Sequence, residues 1–479
     1  MIIMYKIKNY KYIVPLGICL AVASCTPALA PLVETKAVPE SFDKSTDTTN
    51  IAATPWQTYF KDPNLVNLIE IALKNNQELQ ITLQEIEIAK NDIRVRKGAL
   101  LPKVGIGAGA GIEKVGRYTS QGAGDASTEI RPGLEMPDPL GDLKIAAYAN
   151  WEVDIWKKLR NSKKAAVSRY LSTVEGKNFV ITNLIAEVAD SYYELRALDS
   201  QLDIVKQNIA LQSTALEIVK IQKEAARTTE LAVQKFQAEV MASKSMEFEI
   251  LQNIKETENK INFLLAQYPQ EIKRDKTNFI SVLPTVIHSG IPAQLLANRP
   301  DIKQAEMELE AAKLDVKVAR AEFYPSLDIS ARVGVNAFKP SYLFTLPESL
   351  LYSLAGDFAA PLINRNAIKA EYKSANARQI QALYNYERTI LNAYLEVSSQ
   401  LSKINNLEKS YELKAQQVEA LSRSITVAGD LFKSARVDYF EVLMTQRDAL
   451  ESKLELIDTK KAQLNAVVHV YRDLGGGWK

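Results

Sequence analysis

Leu327-Asp328-Ile329-Ser330-Ala331-Arg332-Val333-Gly334-Val335-Asn336-Ala337 alternates apolar and polar residues without a break. A period of two marks a β-strand whose faces meet different surroundings, because successive side chains point to opposite sides. Ile145, Ala147, Ala149, Trp151, Val153 and Ile155 alternate in the same way with Lys144, Ala146, Tyr148, Asn150, Glu152 and Asp154. Tyr352, Leu354, Gly356, Phe358 and Ala360 continue the theme less cleanly, and Val104, Ile106, Ala108 and Ala110 alternate only with glycine. Strands are therefore expected at about 103–113, 143–155, 326–338 and 350–360. Four segments of roughly ten residues, apolar on one side and polar on the other, fit a membrane barrel with a wet interior. The same alternation suits a soluble sheet half-buried against a core. The helices expected on either side are too long to cover such a sheet, which favours the barrel. Four strands cannot close a membrane barrel, since closed ones begin at about eight. Several copies must then share one: three would supply 12 strands, and by count alone two or four would also close.

The helices come from a repeated plan. At a shift of 223 positions Asn75 meets Asn298, Glu87 meets Glu310, Asp92 meets Asp315, Pro102 meets Pro325 and Ile106 meets Ile329, without a gap from Ala72 to Gly111. Later the shift is 204, pairing Tyr148 with Tyr352 and Ala189 with Ala393. It ends at 209, pairing Ala226-Arg227 with Ala435-Arg436, Val233 with Val442 and Gln237 with Gln446. The first copy is longer in the Gly-, Ser- and Pro-rich stretch from Val115 to Gly141, which has loop composition. Each copy reads as helix, strand, loop, strand, then two long helices. Residues 64–100, 157–224 and 229–266 keep helical apolar spacing, and Leu251, Ile254, Glu258, Ile261 and Leu265 step by three and four with one polar exception. A straight run of 60 residues would reach about 90 Å, more than a compact domain needs. The fold class expected is α+β and internally duplicated, with a long α-helical coiled-coil barrel and four membrane strands per chain. The boundaries read as 1–24 for an export signal, 25–63 for a lipidated segment, 64–275 and 290–479 for the two repeats, and 276–289 for a linker.

Lys6, Lys8 and Lys11 precede an uncharged stretch, Tyr12 to Val33, broken by Pro15, Gly17, Pro27 and Pro31, which is signal-peptide architecture. Val22-Ala23-Ser24-Cys25 resembles the lipobox of bacterial lipoproteins, in which the cysteine is lipidated and becomes the mature N-terminus. Thr26 follows where that resemblance would place Asp as an inner-membrane retention cue, so outer-membrane sorting is expected. No second apolar run is long enough for a spanning helix, so a further crossing must use strands.

Catalytic chemistry is hard to assemble here. The 59 Lys and Arg nearly balance 57 Asp and Glu, so no nucleic-acid-sized basic excess exists. His288 and His469 lie far apart, and Cys19 leaves with the signal, so neither a His/Cys metal cluster nor a Cys-His nucleophile pair is expected. Gly105 to Gly111 lack the downstream Gly-Lys-Ser/Thr of a phosphate loop. The chain is expected to be no enzyme and to hold no cofactor or metal.

Trp56-Gln57-Thr58-Tyr59-Phe60-Lys61-Asp62-Pro63, Ala72-Leu73-Lys74-Asn75-Asn76, Gly290 to Ile302, Ala319 to Ser326, Trp151 to Trp156 and Leu474-Gly475-Gly476-Gly477-Trp478 together resemble the outer membrane efflux proteins of TolC type, in the lipoprotein branch of NodT and OprM. The resemblance spans essentially the whole mature chain. It implies a homotrimer with a 12-stranded outer-membrane pore and a periplasmic helical tunnel, joined by a periplasmic adaptor to an inner-membrane pump of RND type. It gives the hairpin ends Ala226-Arg227-Thr228 and Ala435-Arg436-Val437 the role of adaptor docking. Pro102 and Pro325 would mark the helix-to-strand junctions.

Three departures stand out. The family usually has Gly where Ala226, Ala435 and Lys157 stand, and Gly permits turns that other residues resist. Leu443-Met444-Thr445-Gln446-Arg447 lacks the family's acid after Leu, so no acidic gate ring carries over. Asp438, Phe440 and Arg447 remain the gate candidates. Rival expectations are a duct for type I protein secretion and a periplasmic coiled-coil lipoprotein, the latter without strands or conductance. The sequence leaves the cargo open.

Overall fold

The computed structural model describes residues 39–42, 49–276, 279–282, 288–361, 365–434 and 436–479. The signal stretch, Cys25 and Ala435 lie outside them. The main helices are α1 (Pro63–Asn75), α2 (Gln77–Gly98), α3 (Lys158–Glu224), α4 (Glu230–Leu264), α5 (Pro300–Ala321), α6 (Arg365–Lys433) and α7 (Tyr439–Asp473). The main strands are β1 (Lys103–Glu113), β2 (Leu140–Glu152), β3 (Ser326–Ala337) and β4 (Leu350–Ala359). The duplication is visible in the lengths: α2 and α5 both have 22 residues, α4 and α7 both have 35, and α3 and α6 have 67 and 69.

Two compact units cut across the repeats. One holds Glu87–Tyr170 and Met307–Leu383, and the other holds the described parts of Thr35–Ile86, Leu171–Glu306 and Tyr384–Lys479. Each draws on both repeats, because a repeat alone cannot cover its apolar surfaces.

In the first unit the four strands form one antiparallel sheet in the order β1-β2-β3-β4. Direct partners include Gly105 with Tyr148, Tyr148 with Arg332, and Arg332 with Ser353. β2 and β3 pair although the whole first helical hairpin lies between them in sequence. The stretch from Val115 to Gly141 is more ordered than its loop composition suggests: a short helix, Ser120–Ser127, starts where the Thr119 side chain accepts from the Gly122 N–H, and two small strands follow. Phe323 and Tyr372, edge to face with Val316 and Ala319, anchor α5 to α6 in this unit.

In the second unit α1 starts at Asp62, whose carboxylate accepts from the Asn64 N–H at 2.9 Å, with Pro63 suited to the first helical position. The expected single helix over 64–100 is two helices. Asn76 breaks it: its Oδ1 caps α2 by accepting from the Leu79 N–H, while its Nδ2 donates to the last-turn carbonyl of Leu264 on α4. Leu65, Leu68, Ile69 and Ala72 of α1 pack against Leu184, Val188 and Tyr192 of α3 and Val467 to Tyr471 of α7. Tyr59 and Tyr471 stack at 4.0 Å, worth about 0.5–1.5 kcal/mol beyond their buried area. Each hydroxyl is tied to backbone, Tyr59 to Val467 O and Tyr471 to Thr54 O. Burial raises both phenol pKa values far above the ordinary range.

Two arginines organise this core. Arg299 clasps Asp301 with two hydrogen bonds and also reaches Glu396 and the carbonyl of Asp473, the last residue of α7. Arg274, only 2% exposed at its side chain, holds Asp199 of α3 and Glu258 of α4. Glu258 is the polar exception in the apolar rhythm of α4, and its partner explains it. Removing one member of such a buried set costs about 3–5 kcal/mol, because the others lose their counter-charge.

Candidate functional site: sheet faces and hairpin ends

Register sorts the sheet into two unlike faces. Val104, Ile106, Ala147, Val333, Tyr352, Leu354 and Phe358 share one, and Ile106, Leu354 and Tyr352 are 80, 79 and 77% exposed. No described residue covers them. Each large apolar side chain left in water forgoes about 1.5–3 kcal/mol, so this face suits lipid. The opposite face carries Tyr148, Lys144, Asn150, Arg332, Ser330 and Asn336, and between its end residues Lys103 and Glu113 β1 contributes there only Gly105, Gly107, Gly109 and Gly111. The outer edges of β1 and β4 have no strand partner among the described residues. In hydrocarbon each unpaired backbone group would cost several kcal/mol.

At one end of the polar face Glu152, Asp328 and Asp357 stand directly opposite one another across β2, β3 and β4. Like charges in that arrangement repel. Lys158 offsets part of the repulsion, with its Nζ 2.5 Å from Glu152 and 3.7 Å from Glu322. Partial burial pushes its pKa down, but the Glu152 hydrogen bond and the nearby carboxylates outweigh this and hold it above the ordinary lysine value. The sequence showed acids in three alternating stretches, and only the register places them in a row.

The junction beside this row uses both predicted prolines. Pro102 stands immediately before β1, and Pro325 before β3. The Pro325 carbonyl accepts from Trp156 Nε1 at 2.7 Å, and Trp156 stacks on Tyr324. The chain then turns through Lys157, whose φ is +60°, in the left-handed region that glycine adopts freely. Asp154 caps α3 through the N–H groups of Leu159 and Arg160 and binds the Arg160 guanidinium. Burial raises its pKa, and these hydrogen bonds more than reverse that, leaving it below the usual carboxylate range.

The hairpin between α3 and α4 ends at Ala226, again left-handed, with φ +54°. Arg227 N–H reaches Gln222 O and Ala226 N–H reaches Lys223 O, which closes the helix in the Schellman pattern. Ala thus adopts the turn that the family's Gly would take, at a cost of about 1–2 kcal/mol. Ala226 and Arg227 are exposed, Thr228 is partly so, and Thr229 caps α4. At the other hairpin Arg436 N–H reaches Leu431 O, and Val437 packs with Phe432 and Tyr439 against a cluster that both hairpins build around Phe236, Val233, Val442 and Leu443.

The gate candidates are not gathered within one chain. Asp438 is exposed and makes no side-chain cap for α7. Phe440 lies under the Lys235 ammonium of the first hairpin at 5.6 Å. Arg447 is further along α7, 4.0 Å from its neighbour Asp448. Among the described residues no group of His, Cys, Asp and Glu is arranged to hold a metal, and no helix is long and apolar enough to cross a membrane.

The outer membrane efflux protein family pattern matches residues 68–267 and 291–476, one segment in each repeat. The chain belongs to that family. The pyoverdine export outer membrane protein OpmQ of Pseudomonas aeruginosa is 27% identical over 96% of both chains. The cation efflux system protein CusC of Escherichia coli is 26% identical over 98% of this chain and 99% of its own. Crystallised CusC shares the fold, with a TM-score of 0.82 over 95% of this chain and 100% of its own at 23% identity. The open-state MtrE channel of Neisseria gonorrhoeae gives 0.81, over 95% of this chain and 99% of its own at 22% identity. This member of the efflux family is accordingly an outer-membrane channel component of an efflux system, a passive conduit and not an enzyme.

Proposed function

We propose that three copies join edge to edge, β4 of one to β1 of the next, into a 12-stranded pore that passes small toxic compounds outward. The observation that carries this reading is the amphipathic sheet whose two edges are unpaired, and whose apolar face is uncovered, among the described residues. A periplasmic adaptor would dock on Ala226 to Thr228 and Ala435 to Val437, coupling the duct to an inner-membrane pump of RND type. Asp438, Phe440 and Arg447 would meet their counterparts from other copies at the closed end. Cys25 would carry the lipid anchor, and the sequence would divide into repeats at 64–275 and 290–479, joined by a linker at 276–289. Relatives named for cations, solvents and toluene support small cargo over protein cargo.

Single-channel recording on purified protein in planar bilayers tests the pore, with stepwise ion conductance expected. Protein that inserts and never conducts defeats it. Crosslinking in membranes should trap a three-copy species, and Cys25→Ser should abolish incorporation of labelled palmitate. Deleting the gene and profiling which compounds become lethal identifies the cargo class.

A further inference from the structure

The two ends of the four-stranded sheet carry unlike charge. On the helix side, residues 89–102 and 312–325 lead into β1 and β3, and residues 153–166 and 360–373 lead away from β2 and β4. Together these stretches hold 15 Lys and Arg against 5 Asp and Glu. The whole chain holds 59 against 57, so the rest of it carries more acid than base. On the loop side, residues 114–139 and 338–349 hold 4 against 5, so the basic excess belongs to one end of the sheet alone.

Much of that excess is unpaired. Arg96 and Arg160 are held by Asp92 and Asp154. Lys97, Lys157, Lys164, Lys317, Lys369 and Lys373 are exposed and form no ion pair among the described residues. Two observations place part of it on the side of the apolar face. Lys158, at the start of α3, turns to the acid row on the polar face, with its Nζ 2.5 Å from Glu152. At about 100° per residue, Lys163 and Lys164 come about 140 and 240° round the helix from Lys158, away from the polar face. The end of α2 is placed more directly, because the Leu100 carbonyl accepts from Trp151 Nε1, and Trp151 lies on the apolar face with Ala147 and Ala149. Lys97 precedes that carbonyl by about one helical turn. Trp151 and Phe358 stand in the last two rows of the apolar face on the helix side. Tryptophan at the rim of a lipid-facing surface marks the level of the headgroups.

We infer that these lysines form a collar that binds the anionic headgroups of phospholipids in the leaflet on the helix side. A basic cluster directly beside a membrane-spanning element attracts anionic lipid, and the attraction fades within a Debye length, ~8 Å at physiological salt. The collar thus adds charge recognition to apolar contact and selects the lipids that border the protein. This rests on the apolar face meeting lipid, and the test separates the two.

Full-length protein reconstituted in vesicles of phosphatidylethanolamine and phosphatidylglycerol is probed by electron spin resonance, with chain-labelled lipids of either headgroup. Motionally restricted label of both kinds reports lipid against the apolar face. Wild type should favour phosphatidylglycerol about threefold at about 10 mM salt, and less than about 1.5-fold at about 1 M, where the Debye length is ~3 Å. Combining Lys97→Gln, Lys163→Gln and Lys164→Gln should bring the low-salt preference below about 1.5-fold. Combining Lys244→Gln, Lys255→Gln and Lys403→Gln, at exposed lysines of the other compact unit, should leave it unchanged. The salt series on wild type remains decisive if the collar variant folds poorly. Equal restriction of the two lipids by wild type at low salt overturns the inference and leaves the apolar contact standing. A preference that survives high salt or the collar substitutions also overturns it, as does one lost equally in the control set. Absence of any restricted lipid defeats the contact with lipid, and the inference with it.

Discussion

The first hairpin ends on an ion pair and the second on aromatic packing. Lys223 and Glu230 bridge the first turn at 2.6 Å, both in open solvent. At the shift of 209 their counterparts are Phe432 and Tyr439, which pack against the shared cluster. One plan, used twice, thus yields an end held by charge and an end held by apolar contact. The first should respond to salt and pH more strongly than the second, where the ion pair of Asp430 and Lys433 is looser, at 3.5 Å.

That contrast can be broken from several sides. The largest effect belongs to Phe236→Ala, which empties a fully buried site and should cost about 3–5 kcal/mol in thermal or denaturant unfolding. Thr445→Ala at the corresponding position should stay within about 0.5 kcal/mol of wild type. Equal losses would mean that the two helices present the same face after all. Val233→Ala and Val442→Ala, both buried and in matching positions, should each cost about 1.5–3 kcal/mol. A large gap between them would show that only one hairpin depends on the common cluster.

Ala226→Gly should stabilise the first end by about 1 kcal/mol, read as slower hydrogen exchange of the Arg227 amide, because glycine removes the left-handed penalty. No gain there would deny that the turn is strained.

The smallest effect is the pH response of the ion pair. The Lys223 hydrogen bond holds the Glu230 pKa below its ordinary value, so its contribution is complete above the unfolded carboxylate pKa of about 4.3 and fades as pH falls through the folded one. The Glu230 hydrogen bond raises the Lys223 pKa, so that contribution is complete below about 10.4 and fades as pH rises through the folded value. Glu230→Gln should remove the salt dependence of amide exchange at the first end and leave the second end unchanged.

Much of this was legible beforehand because periodicity is local. The strand stretches around Ile329 and Ala149, and the helix pairs that repeat at fixed shifts, are recorded in residue spacing alone. Partners are not. Glu258 could be seen as an anomaly in an apolar rhythm, yet Arg274, which answers it, lies in an irregular segment with no pattern of its own. Asn76 sat inside an uninterrupted helical spacing, and its capping role depends on Leu264, distant in sequence. The glycines expected at 157 and 226 were conspicuous by replacement, and both positions are left-handed. Inward orientation of Gln446 in place of Gln237 could not be read at all, since the residues are identical and only helix rotation separates them.

The four glycines of β1 have a consequence for the free cross-section of the conduit. Because β1 offers no side chain on the polar face between Lys103 and Glu113, the long side chains of β2 can lie down across it. A Cβ at Gly105 would fall 2.6 Å from the Tyr148 ring, and one at Gly109 would fall 2.9 Å from the Lys144 stem. The bulkiest groups on the polar wall are folded flat against it, like shutters opened back on their hinges. A methyl group at either glycine would stand one of them up into the path of whatever passes.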